Sequence, residues 1–196
     1  METLDVKGRE YCGQILQTAR HIVDLVDKIN AFVNVTEVPY KFEKIELNEI
    51  TAIVKNEFSS ELNRRQIEWI EPDGRCELVA DRLSLIRVFQ NFTENALKYG
   101  GNEMSAIEIE YEEDESHHIL SFSDDGVGIT KHNNEDLFAP FYRHNTAQGQ
   151  SGSGLGLAIV NKVAEGHQGQ SWMHSNETGG LTFYVSVIKN LEISEE

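Results

Sequence analysis

The 196 residues hold two cysteines, three prolines, no run of eighteen apolar residues and about half as many basic as acidic side chains. Cys12 and Cys76 show no CxxC spacing, which excludes a disulfide framework and a cysteine-rich zinc module and leaves free thiols, as a reducing cytoplasm would keep them. The lack of a long apolar run and of a charged-then-apolar leader predicts a soluble, cytoplasmic chain, compatible with a membrane-anchored parent protein. With 17 Lys and Arg against 33 Asp and Glu the formal net charge is -16. Nonspecific binding to nucleic acid or to anionic membranes needs a positive field and is therefore not expected. A nucleotide stays possible, because a polyphosphate needs only local donors and a divalent ion. The histidines, including the adjacent His117 and His118 whose side chains would point to opposite faces of a strand, show no metal-ligand spacing.

What remains is an ordinary globular composition, 39% hydrophobic and 26% charged. From Arg9 to about Val35 the residues Cys12, Ile15, Ala19, Ile22, Val26, Ile29 and Val33 step by three and four, a heptad seam widened by Leu16, Val23 and Leu25. One helix cannot bury such a seam, so a bundle made by dimerisation is expected, with packing onto the chain's own body as the alternative. Pro39 within Asn34 to Lys41 marks a boundary, which divides the chain into a helix over 1–36, a main domain over 42–189 and an acidic, frayed tail over 190–196. In the main domain the pattern predicts a strand over Lys41 to Leu47 and a helix capped by Asn48. A hairpin, Ile67 to Glu71 with Cys76 to Ala80, is expected around Pro72-Asp73-Gly74-Arg75. A helix over Asp81 to Gly100, strands over 106–111 and 119–122, a polar loop over 144–153, a helix from Gly154 to about Glu165 and strands over 171–174 and 181–188 follow. Helices and about seven short strands in mixed order make this an α/β two-layer sandwich of a mixed sheet and helices, preceded by a long α-helix.

Three stretches carry candidate chemistry. The helix from Asp81 to Gly100 has an apolar face of Leu83, Ile86, Val88, Phe89, Phe92, Ala96 and Leu97. Beside it runs a stripe of Asn91, Glu94, Asn95 and Lys98, which is either a solvated face or a ligand site. Asn91 and Asn95 offer amide oxygens to a hard cation such as magnesium, and Lys98 a charge to phosphate. In Asp124-Asp125-Gly126-Val127-Gly128-Ile129, at a strand end, glycines allow close backbone approach and a carboxylate can accept from an exocyclic amine. Gly152-Ser153-Gly154-Leu155-Gly156-Leu157 feeds a helix amino terminus, where amides and the helix dipole favour phosphate. It fits neither a dinucleotide fingerprint nor a Walker loop.

NFTENALKY, DDGVGI, LFAPFYR and GSGLGLAIV, in this order, resemble the N box, first glycine box, F box and second glycine box of sensor histidine kinases, members of the GHKL ATP-binding superfamily with its Bergerat fold. The match covers about Phe42 to Ile188, and the heptad helix resembles the second helix of that family's dimerisation and phosphotransfer hairpin. The resemblance implies ATP and Mg2+ as ligands, with Asn95 the main magnesium ligand assisted by Asn91. Lys98 would contact phosphate and Tyr99 would lie beside the adenine. Asp124 would read the adenine amino group, with Gly126 and Gly128 shaping the pocket and Thr182 joining through water. Phe138 and Phe141 would form an aromatic latch, Arg143 would stand near the terminal phosphate, and Gly152, Gly154, Leu155 and Gly156 would line the phosphates.

In the ATPase branches of that superfamily a glutamate activates water at the position held here by Asn91, an amide that cannot take a proton. The expectation is therefore slow hydrolysis and phosphoryl transfer to a protein histidine. Glu94 is given a supporting role. The family's phosphoacceptor motif of histidine, acid and proline is missing, since the prolines are Pro39, Pro72 and Pro140. His21 lies at an outward heptad position and is not expected to replace it. The acceptor is thus expected outside this chain, on a helix of the same parent protein, with a homodimer and a response regulator as partners and no nucleic acid. The other readings are a non-catalytic nucleotide-binding or dimerisation module and a related serine protein kinase, with a true ATPase the weakest.

Overall fold

The computed structural model describes residues 6–129, 137–142, 153–177 and 179–194. The first helix, α1 (Val6–Glu37), leads through Pro39 into β1 (Phe42–Glu46), α2 (Leu47–Arg65), β2 (Glu68–Ile70), β3 (Glu77–Asp81), α3 (Arg82–Tyr99), β4 (Ala106–Glu113), β5 (His117–Asp124), α4 (Gly156–Gly166), β6 (Ser171–Ser175) and β7 (Leu181–Ile188). Five strands form one sheet in the order β2-β4-β5-β7-β6, parallel only between β2 and β4, and β1 pairs antiparallel with β3 in a separate ribbon.

Strand alternation sets the layers. In β4, Ile107 and Ile109 are buried while Glu108 and Glu110 are exposed, and in β7, Phe183, Val185 and Val187 share one face. That face meets Leu85, Val88, Phe89 and Phe92 of α3 and Ile159, Val160 and Val163 of α4, so the core lies between one sheet and its helices. Phe92 stacks on Phe183 and contacts Phe122, which fixes α3 over β5 and β7. Burying each such side chain stabilises the fold by about 1.5–3 kcal/mol before entropy is counted.

Several expectations change. The stretches around Pro72 to Arg75 are not a hairpin, because β2 joins β4 at the edge of the large sheet while β3 turns away to pair with β1. Asn48 does not cap α2. The cap residue is Glu46, without a side-chain bond, and Asn48 Nδ2 donates instead to the Gly74 carbonyl at 3.0 Å. Leu83 is 65% exposed and Leu85 takes its place in the core, since the Asp81 cap turns Ser84 inward. The tail is tied down to Ser194, whose N–H donates to Phe42 O at 3.0 Å and whose Oγ accepts from Phe42 N–H at 2.9 Å.

On α1, Ile15, Leu16, Ile22, Val23, Val26, Ile29 and Val33 are exposed, while Ala31, Phe32 and Val35 join the core through α4. Tyr40 pins this junction, its one hydroxyl proton shared between Val35 O at 2.8 Å and Lys162 O at 3.1 Å. Cys12 and Cys76 are free thiols. Among the described residues, no helix is long and apolar enough to cross a membrane.

Candidate functional site

The stripe on α3 owes its position to both ends of the helix. At the start, the Asp81 carboxylate accepts from Ser84 N–H at 2.8 Å and from Lys41 N–H at 2.7 Å. At the end, Arg65 from the last turn of α2 donates to the Leu97 carbonyl at 2.6 Å and to the Gly101 carbonyl, which satisfies two acceptors beyond reach of the helix's own N–H groups. Sequence reasoning missed Arg65, and its only signal was a basic pair closing a helix.

Asn91, Glu94, Asn95 and Lys98 are all half-buried. Asn91 Nδ2 donates to Arg87 O at 2.7 Å, and Asn91 Oδ1 lies against the amino terminus of α4, where a Cβ on Gly156 would come within 2.7 Å of it. A Cβ there would have to push the amide aside, so the glycine permits the close approach, and that contact brings the N–H groups at the start of α4 to Asn91. The Asn95 side chain has no hydrogen-bond partner among the described residues. The Lys98 ammonium stands 5.0 Å from the Tyr99 ring centroid and has no carboxylate partner among them. Glu94 is turned away from Lys98 and pairs with Lys28 of α1 at 2.6 Å.

The other end of the site is a turn built on backbone. Asp124, at the end of β5, is 5% exposed. Burial pushes its carboxyl above the ordinary carboxylate value against the Gly126 N–H, which donates to Oδ1 at 3.0 Å. Its neighbour Asp125 does the opposite. Burial pushes it up as well, but the Ser105 hydroxyl at 2.6 Å and the Ser105 and Ala106 N–H groups at 2.9 and 3.0 Å override that, so its carboxyl sits below the ordinary value. Asp125 thus clasps the start of β4, and Asp124 is the buried carboxylate of the pair.

Gly126 sits where a Cβ would come within 2.5 Å of the Gly100 backbone, and Val127 N–H donates to Gly100 O at 3.0 Å, so the end of α3 and the glycine turn are one unit. Gly128 faces the Gly180 backbone. Gly180 was not foreseen. Its φ is +86° and any Cβ on it would overlap the Asp124 carbonyl oxygen, a requirement whose only trace in the sequence is the pair Gly179-Gly180 before the last strand.

Thr182 does not join Asp124. It pairs across the sheet with Ser123, whereas Asp124 pairs with Leu181, and successive strand residues point to opposite faces. Its hydroxyl is bound to Ser123 Oγ at 3.0 Å and Asn176 Oδ1 at 2.7 Å.

Phe138 packs on the core, and Phe141 is exposed at φ +64° with its N–H donating to Gly154 O at 2.9 Å. The aromatic stretch and the second glycine stretch therefore meet. Leu155 is buried and forms the cap position of α4, its N–H donating to Ser153 Oγ at 3.3 Å. Arg143, Gly152 and the side chain of His21 lie outside the described residues.

The comparisons with known proteins follow this geometry. Residues 80–190 match the model of the histidine kinase-, DNA gyrase B- and HSP90-like ATPase family. The chain is 29% identical over 188 residues to the phytochrome-like protein Cph1 of Synechocystis sp., covering 95% of this chain and 25% of that protein. It is 32% identical over 153 residues to the sensor histidine kinase WalK of Bacillus subtilis, covering 73% of this chain and 24% of WalK. The chain thus spans about a quarter of the length of these relatives. Among solved structures, the nucleotide-free catalytic domain of the histidine kinase ThkA superposes with a TM-score of 0.66 at 27% identity, covering 76% of this chain and 98% of that domain. ThkA in complex with the response regulator protein TrrA gives 0.71 at 20% identity, covering 97% of this chain and 53% of that one, a likeness of fold. From its boxes, its sheet and these matches, the chain belongs to the histidine kinase-, DNA gyrase B- and HSP90-like ATPase family, and carries the ATP-binding domain in its histidine kinase form.

Proposed function

We propose that this site binds ATP with Mg2+ and presents the terminal phosphoryl group to a histidine outside these 196 residues, as the catalytic portion of a sensor histidine kinase. The observation that carries the reading is the contact of Gly156 with Asn91, which sets the amino terminus of α4 against the first amide of the stripe that runs on through Asn95 to Lys98, with the buried Asp124 on the glycine turn joined to the end of α3. A helix terminus, amide oxygens and a lone ammonium suit a polyphosphate.

The donor set fits magnesium. Asn91 and Asn95 are hard oxygen donors one turn apart, the Asn95 side chain is free of other hydrogen bonds among the described residues, and magnesium takes few protein ligands beside water and phosphate oxygens. Bound there, the ion would supply charge neutralisation. Lys98, Arg143 and the amides of Gly152, Gly154, Leu155 and Gly156 hold the phosphates. Tyr99, Gly126 and Gly128 wall the base, Asp124 accepts from its amino group, and Phe138 and Phe141 cover it. The acceptor nitrogen attacks the γ-phosphorus in line, the bond to the bridging oxygen breaks and ADP leaves, so positioning and electrostatics do most of the work. Asn91 withholds the base that would activate water.

The partners follow from the same reading. The exposed seam of α1 fits a second copy of this chain in a homodimer, with residues 1–36 as dimerisation helix and 42–189 as catalytic domain. A response regulator receives the phosphoryl group, and the setting is cytoplasmic.

Calorimetry with Mg-ATP tests the site. Asn95→Ala is expected to abolish measurable binding, and unchanged affinity would sink the assignment. A separate protein carrying the family's histidine helix, added with ATP, is expected to take up acid-labile phosphate, while this chain alone takes up none.

A further inference from the structure

Behind the Asp124 turn, on the opposite face of the sheet, lies a closed ring of hydrogen bonds that the nucleotide reading leaves without a role. Asn176 Nδ2 donates to Ser123 Oγ at 3.1 Å, and the Thr182 hydroxyl donates to Asn176 Oδ1 at 2.7 Å. Ser123 and Thr182 are linked at 3.0 Å by a bond whose direction the ring decides. Since the Thr182 proton is committed to Asn176, Ser123 must be the donor in that bond. Each hydroxyl then gives one proton and takes one, and the amide orientation of Asn176 is fixed by the Asp124 carbonyl, which would face Oδ1 instead of an N–H if the amide were flipped.

The ring has one outlet. The second hydrogen on Asn176 Nδ2 points to the Asp124 carbonyl oxygen, at 3.2 Å. Gly180 approaches the same oxygen so closely that no side chain fits between them. The Asn176 backbone closes the frame, its N–H donating to Gly180 O at 3.2 Å and its carbonyl accepting from Gly179 N–H at 3.3 Å. The peptide unit of Asp124 is therefore held against both Asn176 and Gly180, while its carboxylate accepts from the Gly126 N–H of its own turn and from the Leu181 backbone across the sheet.

We infer that Asn176, oriented by Ser123 and Thr182, is a positioning residue that sets which base the pocket takes. This rests on the reading of Asp124 as the group that accepts from the adenine amine. A carboxylate accepts from an amine and repels a carbonyl, so an adenine base is favoured over one carrying oxygen at the same ring position by as much as the carboxylate is held in place. When the clamp is removed, the carboxylate can draw back from a carbonyl, and discrimination falls more than affinity for the triphosphate.

The test measures the ratio of affinities for ATP and inosine triphosphate, which differ in that amine and carbonyl, by displacement of a fluorescent ATP analogue from the full chain. Asp124→Asn is expected to lower the ratio by about tenfold or more, and Asn176→Leu, nearly isosteric but without polar atoms, by about three- to tenfold. Thr182→Val is expected to follow Asn176→Leu, and Thr182→Ser, which keeps the hydroxyl, to stay near wild type. If Asp124→Asn leaves the ratio unchanged, the reading of Asp124 fails and the inference with it. If Asp124→Asn lowers it while Asn176→Leu and Thr182→Val bind with the wild-type ratio, the inference alone is overturned, and a fall in unfolding midpoint without a change in ratio counts as that result. Should Asn176→Leu not fold, the contrast between Thr182→Val and Thr182→Ser decides.

Discussion

The two ends of the site are built from different material. At the end proposed to take the base, backbone is wedged against backbone: Gly126 on Gly100, Gly128 on Gly180 and Gly180 on Asp124, with a carboxylate that is almost fully buried. At the phosphate end the contacts are side chain to backbone, with Asn91 against Gly156, a free Asn95 amide, and Phe141 exposed beside Gly154. A wedge of main chain has no rotamers to adjust, so its geometry is complete before any ligand arrives. Amides and ammonium groups on a helix face can turn, so theirs is finished by the ligand and its ion. On the proposed reading, one end chooses among bases and the other follows a phosphate chain that changes length in the reaction.

The comparison breaks most visibly at Gly180. Gly180→Ala is expected to cost about 1–3 kcal/mol from the left-handed backbone alone, with the overlap on the Asp124 carbonyl added, and to lower the urea midpoint or prevent folding. Gly74→Ala is the control. Its φ is +82° with nothing within 4 Å of a Cβ, so only the strain remains, and a midpoint shift as large as that of Gly180→Ala would refute the wedge. At the other end, Gly156→Ala places a methyl against the movable Asn91 amide. The fold should survive with nearly wild-type stability while Mg-ATP affinity, measured by calorimetry, drops about tenfold, or about 1.4 kcal/mol.

Asp124 sharpens the same contrast through pH. Its carboxyl is raised by burial, so between the ordinary value of 3.8 and the raised folded value the native protein holds the proton more firmly than the unfolded chain. Wild-type stability therefore falls as pH rises through that window, and above it the full penalty is present. Asp124→Asn carries no such penalty. Without nucleotide, the variant is expected to unfold at higher denaturant than wild type at pH 7.5, with the advantage shrinking as pH falls toward 3.8, while its ATP affinity is lost. Equal midpoints at both ends of the range would show that the carboxylate carries no penalty from burial.

How much of this was legible in the sequence depended on distance along the chain. The faces of α3 follow from a local period, and its Asp81 cap was read correctly. The four boxes named the domain. What escaped was set by pairing between distant segments. The turn Pro72 to Arg75 has the chemistry of a hairpin, and only the choice of β1 as partner for β3, with Phe42 opposite Asp81, reveals that the chain changes sheet there. Thr182 missed by a single residue of register, which on a strand reverses the face. Ser194 looked like part of a frayed tail because nothing near it in sequence shows Phe42 waiting for its hydrogen bonds. Asp124 and Asp125 are adjacent and chemically identical in the sequence, and what sets them apart is that Ser105 and Ala106, 20 and 19 residues earlier, bind the second.

The smallest effect is expected where α1 touches the phosphate end. Lys28 reaches from α1 to Glu94, between the two asparagines of the stripe, and its side chain and that of Glu94 are 22% and 43% exposed. A pair so open to water is worth less than about 1 kcal/mol, so Lys28→Met is expected to move the unfolding midpoint little. Its consequence is local. Without Lys28, Glu94 lies one turn from Lys98 on the same helix face, at the spacing that favours an ion pair, and would compete with phosphate for that ammonium. Mg-ATP affinity should fall by about two- to threefold in Lys28→Met and return in the double variant with Glu94→Gln, where the competing charge is gone. A double variant no better than the single one would show that Lys28 acts by holding α1, and that α1 reaches the phosphate end by packing alone.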